Sequence, residues 1–341
     1  LKATFKAIRN HLAANTVGAT RDEVLAQQLI NLIFCKIYDE RFTEPEEIVT
    51  FRAGIGEEPI NAKKRILELF NKVKRKYKEV IDERDNITLD DNSVAYVAGE
   101  LQNYCLIEAE RDIVADAFET FIGQALKGGQ GQFFTPRNVV KMMVDILDPN
   151  DEDLIIDPAC GSGGFLVESY KYLLEKSDNL STNDMEFLQT KALLGKEKKG
   201  LPFIIANMHL IFNGIKSPNI VRANTLSKNI MEIQEKDRVD IILANPPFGG
   251  KENESVQMNF PIKTSASENM FMQYFIKNLK QGGRAAIIIK NTFLSNTDKA
   301  SIALRKQLLE ECNLFAILDL PSGAFLGTGV KTVILFFERN E

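Results

Sequence analysis

One stretch, VDIILANPPF from Val239 to Phe248, combines residue types that could act directly on a ligand. Its apolar run stops at Asn245, Pro246, Pro247 and Phe248, where two successive prolines fix φ and remove two backbone donors. An amide oxygen and nearby carbonyls can accept hydrogen bonds from an exocyclic amino group, while an aromatic face stacks on the ring that bears it. The alternative is a turn that merely ends a strand, and the tetrapeptide alone leaves both interpretations open.

A second segment, DPACGSGGF at 157–165, is typical of a glycine turn between a strand and a helix. Glycines let the backbone approach a ligand closely, and the helix amino terminus behind them offers free N–H groups. The segment is neither a P-loop nor a GxGxxG motif, because its glycines are Gly161, Gly163 and Gly164 and no Gly-Lys-Ser/Thr follows. Glu197, just beyond the next strand, could bind both hydroxyls of a ribose. Together they predict a nucleoside-bearing cofactor without a polyphosphate.

Strands that alternate with helices must position these two segments, and this alternation predicts a doubly wound, mostly parallel α/β sheet. The last two strands are close enough in sequence to pair antiparallel. The predicted strands are 154–156, 192–194, 220–221, 241–244, 284–289, 314–320 and 330–337, and the predicted helices are 138–147, 165–176, 201–212, 268–280 and 300–311.

The chain ahead of this pattern reads as helical throughout, with amphipathic helices predicted at 22–42, 62–84 and 112–126 and a Thr20–Glu23 capping box before the first. The glycine-rich joint KGGQG at 127–131 separates the two patterns. We therefore expect an all-α N-terminal domain at 1–127 and an α/β catalytic domain at 128–341.

Composition limits the classes of function. The chain has 341 residues and a net charge of −5, which argues against tight DNA binding by the chain alone but not against a subunit that a partner delivers to DNA. Four scattered cysteines, two histidines and no ligand-spaced cluster predict neither a zinc module nor a metal site. The sequence shows neither a secretory pattern nor a membrane span, so we expect a cytoplasmic protein without a membrane partner.

A set of motifs follows in a fixed order: GQFFTP (131–136), DPACGSGGFL (157–166), GKE (195–197), ANTL (223–226), NPPF (245–248), ENMFMQYFIKNLKQGGRAAIII (268–289) and LPSGAFLGTGVKTVILFF (320–337). The set resembles the amino-methylating DNA methyltransferases and, more narrowly, the modification subunit of type I restriction-modification systems, which methylates adenine N6. The resemblance covers nearly the whole chain, including the helical N-terminal domain. It implies a Rossmann-like, S-adenosylmethionine-dependent methyltransferase domain.

The resemblance also implies roles for individual residues. The catalytic tetrapeptide would hold the target base, with Asn245 and Pro246 accepting the two amino N–H groups and Phe248 stacking on a base flipped out of the duplex. Asn224 stands where many relatives carry an acidic residue, and Lys290 stands where a proline is common. The residues implied in S-adenosylmethionine binding are Phe134, Thr135, Pro136, Asp157, Ala159, Gly161, Ser162, Gly163, Glu197, Asn224 and Leu226.

The implied partners are DNA and a separate specificity subunit that reads the sequence, with two modification chains for each specificity chain. Whether a restriction nuclease subunit joins stays open. Two other functions remain as alternatives: the NPP-aromatic motif also serves methyltransferases of rRNA guanine or protein glutamine, and a non-catalytic cofactor-binding subunit of a DNA-modifying assembly would keep the same loops.

Overall fold

The computed structural model describes residues 1–15, 22–44, 46–107, 135–177, 180–325 and 329–340. The chain divides into two compact units, Leu1–Gln130 with Phe212–Gly214, and Gly131–Ile211 with Ile215–Glu341. The predicted helix at 112–126, the joint at 127–131 and the Thr20–Glu23 capping box lie outside the described residues. The division into domains at 127 and 128 therefore stays a prediction.

The first unit is α-helical where it is described, as predicted. Its helices are α1 Lys2–Asn15, α2 Asp22–Phe42, α3 Pro59–Lys76 and α4 Asp91–Leu101. Side chains from all four helices are fully buried, among them Phe5, Phe34, Phe70 and Leu101. This unit thus has an apolar core of its own.

Two predictions for this unit are wrong in detail. The unit is not helical throughout, because residues 43–44, 46–58 and 77–90 lie outside helices. The helix predicted at 62–84 begins earlier, at Pro59, whose missing N–H costs nothing in the first turn. It ends at Lys76, because Tyr77 leaves the helical region with φ −112° and ψ 39°.

The second unit is built on a seven-stranded sheet, which confirms the predicted doubly wound α/β fold. Its strands are β1 Ile155–Asp157, β2 Leu193–Glu197, β3 Asn219–Arg222, β4 Val239–Ala244, β5 Leu279–Lys290, β6 Cys312–Asp319 and β7 Thr332–Arg339. The spatial order is β3-β2-β1-β4-β5-β7-β6. β7 is antiparallel to both of its neighbours and the other pairings are parallel, so the predicted antiparallel pair at the end of the chain is present.

Helices connect these strands. They are α5 Arg137–Leu147, α6 Gly164–Lys176, α7 Thr182–Thr190, α8 Gly200–Phe212, α9 Glu254–Gln257, α10 Ser267–Asn278 and α11 Lys299–Glu311. β5 is twice as long as the strand predicted at 284–289. The prediction was too short because Gly282 and Gly283 interrupt the apolar pattern inside the strand. α7 was not predicted; a Ser181–Asp184 capping box begins it.

β4 lies at the centre of the sheet and is buried on both faces, as its unbroken apolar run predicts. Ile241, Ile242, Leu243 and Ala244 are each fully buried. One face of the sheet packs against α10 through Met272, Phe275 and other members of a large apolar cluster. The residues that follow β4 are therefore carried on a central strand whose last four residues are fully buried, a position that holds side chains more precisely than a free loop does.

Candidate active site

Most of the predicted site residues lie at the carboxyl ends of parallel strands or in the loops that follow them. From β1 the strand order runs outward to β2 and β3 in one direction and to β4 and β5 in the other. In parallel registers Ile155 pairs with Ile241 and Ile156 with Ile242, which places Asp157 and Asn245 at the carboxyl ends of neighbouring strands. Open α/β sheets bind their ligands at the carboxyl ends of the strands, at the point where the strand order reverses.

The glycine turn has the geometry that its sequence predicts. Gly161 and Gly163 have φ values of +52° and +79°, in the left-handed region that favours glycine. A Cβ at Gly163 would lie 3.3 Å from Ala206 Cβ, so this glycine allows α8 to approach. A Cβ at Gly161 would meet no described atom within 4 Å. Among the described residues, the backbone at Gly161 thus lies against open space, beside the amino terminus of α6.

Glu197 binds this turn directly. Its Oε2 accepts a hydrogen bond from the Gly161 N–H at 3.0 Å, and its Oε1 accepts one from Lys199 at 2.8 Å. The side chain is only 7% exposed. Because each carboxylate oxygen has a second lone pair, Glu197 can hold the turn and still accept hydrogen bonds from ligand hydroxyls.

Asp157 is buried at the base of the same turn, with 2% of its surface exposed. Its Oδ1 accepts a hydrogen bond from the Ala159 N–H at 3.1 Å. Burial raises the pKa of Asp157 to about 8; the nearby Glu197 charge also raises it, while the Ala159 N–H opposes the shift. The carboxyl is therefore mostly protonated at neutral pH.

The loop after β3 is tied to both of these segments. The Ala223 N–H donates to the Glu197 carbonyl at 3.0 Å, and the Thr225 hydroxyl donates to the Pro158 carbonyl at 2.5 Å. Asn224 Oδ1 accepts from the N–H of buried Leu226 at 3.1 Å, so Nδ2 is the donor that the amide offers to a ligand. The three loops after β1, β2 and β3 thus form one hydrogen-bonded surface.

The segment after β4 carries an unmade hydrogen bond. Asn245 Nδ2 donates to Thr135 Oγ1 at 3.0 Å, which fixes the amide plane. Asn245 Oδ1 is buried and accepts no hydrogen bond from any residue that the structure describes. Buried acceptors are nearly always paired in folded proteins, so an orphaned oxygen at a strand end indicates a site for a ligand donor.

Aromatic packing orients Phe248, three residues further along the same segment. Its ring meets the edge of the Phe325 ring at 79°, with 6.0 Å between centroids. Phe325 is buried and Phe248 is half-buried, so one ring supports the other. Pro246 is buried and Pro247 is exposed. The two proline rings fix φ at both positions, so the backbone here is rigid. The segment therefore presents an acceptor and an aromatic ring on a fixed backbone.

The structure thus brings most of the predicted residues together at the carboxyl ends of the parallel strands. Their individual roles stay predictions. Phe134 lies outside the described residues. Pro136 precedes α5, and Ala159 and Ser162 are half-buried in the glycine turn.

Two contributors were missed by sequence reasoning. Thr225 joins two loops across 67 positions, and His209 Nδ1 donates to the Ser162 carbonyl at 3.1 Å. No local signal marks such long-range partners, since both are ordinary residues within a loop and a helix.

Within the described ranges, His, Cys, Asp and Glu nowhere cluster in threes that could hold a metal ion. A search of the same residues for a helix long and apolar enough to cross a membrane found none.

Comparisons with known proteins agree on one family. Residues 109–341 match the family described as N-6 DNA Methylase. The type I restriction enzyme EcoEI methylase subunit of Escherichia coli is 37% identical over 239 residues, which cover 68% of this chain and 47% of that subunit. The chain thus spans about half the length of this curated relative.

Solved structures show the same fold. A modification subunit of a putative type I restriction enzyme from Vibrio vulnificus is similar with a TM-score of 0.80 and 27% identity, over 99% of this chain and 82% of that one. A chain from a structure of complex assembly in the type I R-M system gives a TM-score of 0.77 and 26% identity, over 99% and 74%.

Proposed function

The chain belongs to the N-6 DNA methylase family, and on that premise we propose that it transfers a methyl group from S-adenosylmethionine to adenine N6 in DNA. It does so as the modification subunit of a type I restriction-modification system. The family predicted from the ordered motifs is confirmed. The observation that carries the proposal is the buried Asn245 oxygen, which no described residue pairs, because an exocyclic amine would supply the N–H that this acceptor needs.

The loops after β1, β2 and β3 fit the cofactor that the family implies. The open space at Gly161 leaves room for a ligand against the backbone, Glu197 has lone pairs for ribose hydroxyls, and Asn224 offers an amide to an adenine edge. Thr135, Pro136 and Asp157 would lie at the methionine end. When bound, S-adenosylmethionine supplies an electrophilic methyl group on a sulfonium.

Asn245 and its neighbours act on the target amine. An adenine amino group is a poor nucleophile because its lone pair is delocalised into the ring. Asn245 Oδ1 accepts one amino N–H and the Pro246 carbonyl the other, which draws the nitrogen toward a tetrahedral geometry and frees its lone pair. Thr135 keeps the amide nitrogen of Asn245 engaged, so the oxygen is the end presented to the base. Phe248 stacks on the flipped base.

A partner must choose the DNA site. The chain's net charge of −5 favours delivery to DNA by another subunit over independent binding. The similar proteins are named as methylase or modification subunits of type I systems, which supports a separate specificity subunit as that partner. Two modification chains for each specificity chain, a cytoplasmic location and the presence of a nuclease subunit stay predictions or open points.

The test is to follow where the methyl group goes. The full-length protein, purified with its specificity subunit, is incubated with methyl-labelled S-adenosylmethionine and, separately, with duplex DNA, ribosomal RNA and a protein extract. Mass spectrometry of the nucleosides and amino acids then identifies the product. We expect N6-methyladenine in DNA, formed about 10² to 10³ times more slowly by Asn245→Ala.

Label in rRNA guanine or protein glutamine would overturn the choice of substrate while leaving the site intact. The remaining alternative is a non-catalytic cofactor-binding subunit. Calorimetry of S-adenosylmethionine binding identifies it: the chain would be non-catalytic if its complex binds the cofactor and DNA but modifies none of the three substrates.

A further inference from the structure

An ion pair lies beside the target turn, which we define as Phe248–Gly250. Lys290 is the last residue of β5, the parallel neighbour of β4. Its Nζ lies 3.1 Å from Glu268 Oε2, and only 22% and 15% of the two side chains are exposed. A Cβ built on Gly249 would lie 3.5 Å from the same Nζ, an ordinary contact distance, so the ammonium group faces this glycine of the target turn.

The target turn is held from a second side by the start of α10. The N–H and the hydroxyl of Ser267 both donate to the Gly250 carbonyl, at 3.0 and 3.1 Å. Glu268 is the next residue along this first helical turn, where a negative charge is favoured by the helix dipole. Lys290 and Glu268 thus join the end of β5 to the helix that anchors the turn.

Stability alone does not account for this pair. Removing two charges from water costs about as much as their attraction returns, so partly buried ion pairs contribute little net stability. They do fix geometry, because each charge keeps the other in one position. Gly249 has φ +75° and lacks a side chain that could brace the turn against the strand, and the ammonium group lies beside the space into which such a side chain would point.

We propose that Lys290 and Glu268 are positioning residues for the target base. Their ion pair holds the target turn so that Phe248 meets the flipped adenine at the angle that aligns its amine with Asn245. The inference rests on the proposed function for the identity of the base, but the restraint on Phe248 is a property of the protein alone.

The restraint is measured first, without DNA or cofactor. The chain contains no tryptophan, so Phe248→Trp introduces a single indole at the target turn. Acrylamide quenching of this indole is compared with and without Lys290→Met or Glu268→Gln. We expect each substitution to raise the quenching constant by about twofold, because the turn loses the restraint that the ion pair supplies beside Gly249. Lys290→Arg keeps the charge and should stay near the parent value.

Lys280→Met is the matched control. Lys280 is on the same strand and pairs with Asp240 at 2.8 Å, at the amino ends of β5 and β4, away from the site. Unchanged quenching in Lys290→Met, or an equal rise in Lys280→Met, would overturn the proposal, the latter because it would mean general loosening of the unit.

Kinetics then test the role in transfer, in the complex with the specificity subunit and with Phe248 restored. We expect Lys290→Met to lower kcat for DNA by about tenfold while the Kd for S-adenosylmethionine is unchanged. Equal loss of cofactor binding would assign the pair to general structure. If the wild-type complex methylates no DNA adenine, the proposed function fails, whereas the quenching result still decides whether the pair restrains the turn.

Discussion

The two halves of the candidate active site are built in opposite ways. On the cofactor side, the loops after β1, β2 and β3 bind one another: Glu197 accepts from the Gly161 N–H, and Thr225 donates to the Pro158 carbonyl. On the target side, after β4, the central acceptor Asn245 Oδ1 is left without a partner among the described residues. One half satisfies its own polar groups, and the other waits for a ligand to do so.

This difference indicates what favours ligand binding at each half of the site. A loop surface that is already hydrogen-bonded loses little conformational freedom when a ligand arrives, which is the advantage of preorganisation. A buried acceptor without a donor costs about 1–3 kcal/mol, a cost that a target amine relieves when it binds. The cofactor side is therefore preorganised to bind its ligand, and the target side provides an acceptor for the amine that reacts.

The sharpest way to break this comparison is Asn245→Ala. If the target side alone supplies the acceptor, kcat for methyl transfer falls by about 10² to 10³, the loss typical of one essential polar contact to a reacting group. The Kd for S-adenosylmethionine, measured by calorimetry, should stay within about twofold. A large loss of cofactor affinity would instead show that the two halves are one interdependent site.

A substitution on the cofactor side should do the reverse. Gly161→Ala places a methyl group in the open space at a φ of +52° and should weaken S-adenosylmethionine binding by about tenfold or more. Gly282→Ala is the control, because Gly282 has φ +71° and a Cβ there would also meet no described atom within 4 Å.

Both glycine variants should lose roughly 1 kcal/mol of stability in thermal unfolding, since both strain an L-residue. Equal losses of cofactor affinity in the two variants would mean that strain, not occupied space, is responsible.

The dependence of stability on pH sharpens the comparison further, because Asp157 lies under the cofactor turn with its pKa raised to about 8. The folded protein keeps a proton that the unfolded chain releases near pH 4. The free energy of unfolding should therefore fall between about pH 4 and pH 8, by roughly 1 kcal/mol for each pH unit, and level off above.

Asp157→Asn removes this titration, so the difference in free energy of unfolding between wild type and variant should follow the same window. Chemical denaturation at several pH values measures it. A difference that does not change with pH would mean that Asp157 is ionised in the folded protein.

The smallest expected effect comes from Asn224. Its Oδ1 accepts from the Leu226 N–H, and Asn224→Asp would keep this bond while replacing Nδ2 with a second acceptor. Because Nδ2 is the donor offered to the adenine edge, losing it should weaken the Kd for S-adenosylmethionine by about threefold to tenfold. Tighter binding in calorimetry would show that the adenine presents its exocyclic amine to this position.

Much of the fold could be predicted because its signals are local. The apolar run of β4 ends at two prolines and the glycine turn precedes a helix, and both lie where the sequence places them. The ends of elements were predicted less accurately than their positions. α3 begins at Pro59, because a proline is tolerated in the first turn of a helix. It ends at Lys76, and an amphipathic pattern alone does not mark the last turn of a helix. β5 continues through Gly282 and Gly283, which carry no apolar signal.

The sequence by itself determined the order of the motifs, the family they identify and the residue types that the two halves of the site require. Only the tertiary structure decided that Thr135 holds Asn245 across 110 positions, that Glu197 holds Gly161, and that Lys290, for which the sequence suggested no role, faces Gly249 of the target turn. The reason is that parallel strand pairing places the carboxyl ends of distant segments side by side, and local periodicity contains no record of which ends will meet.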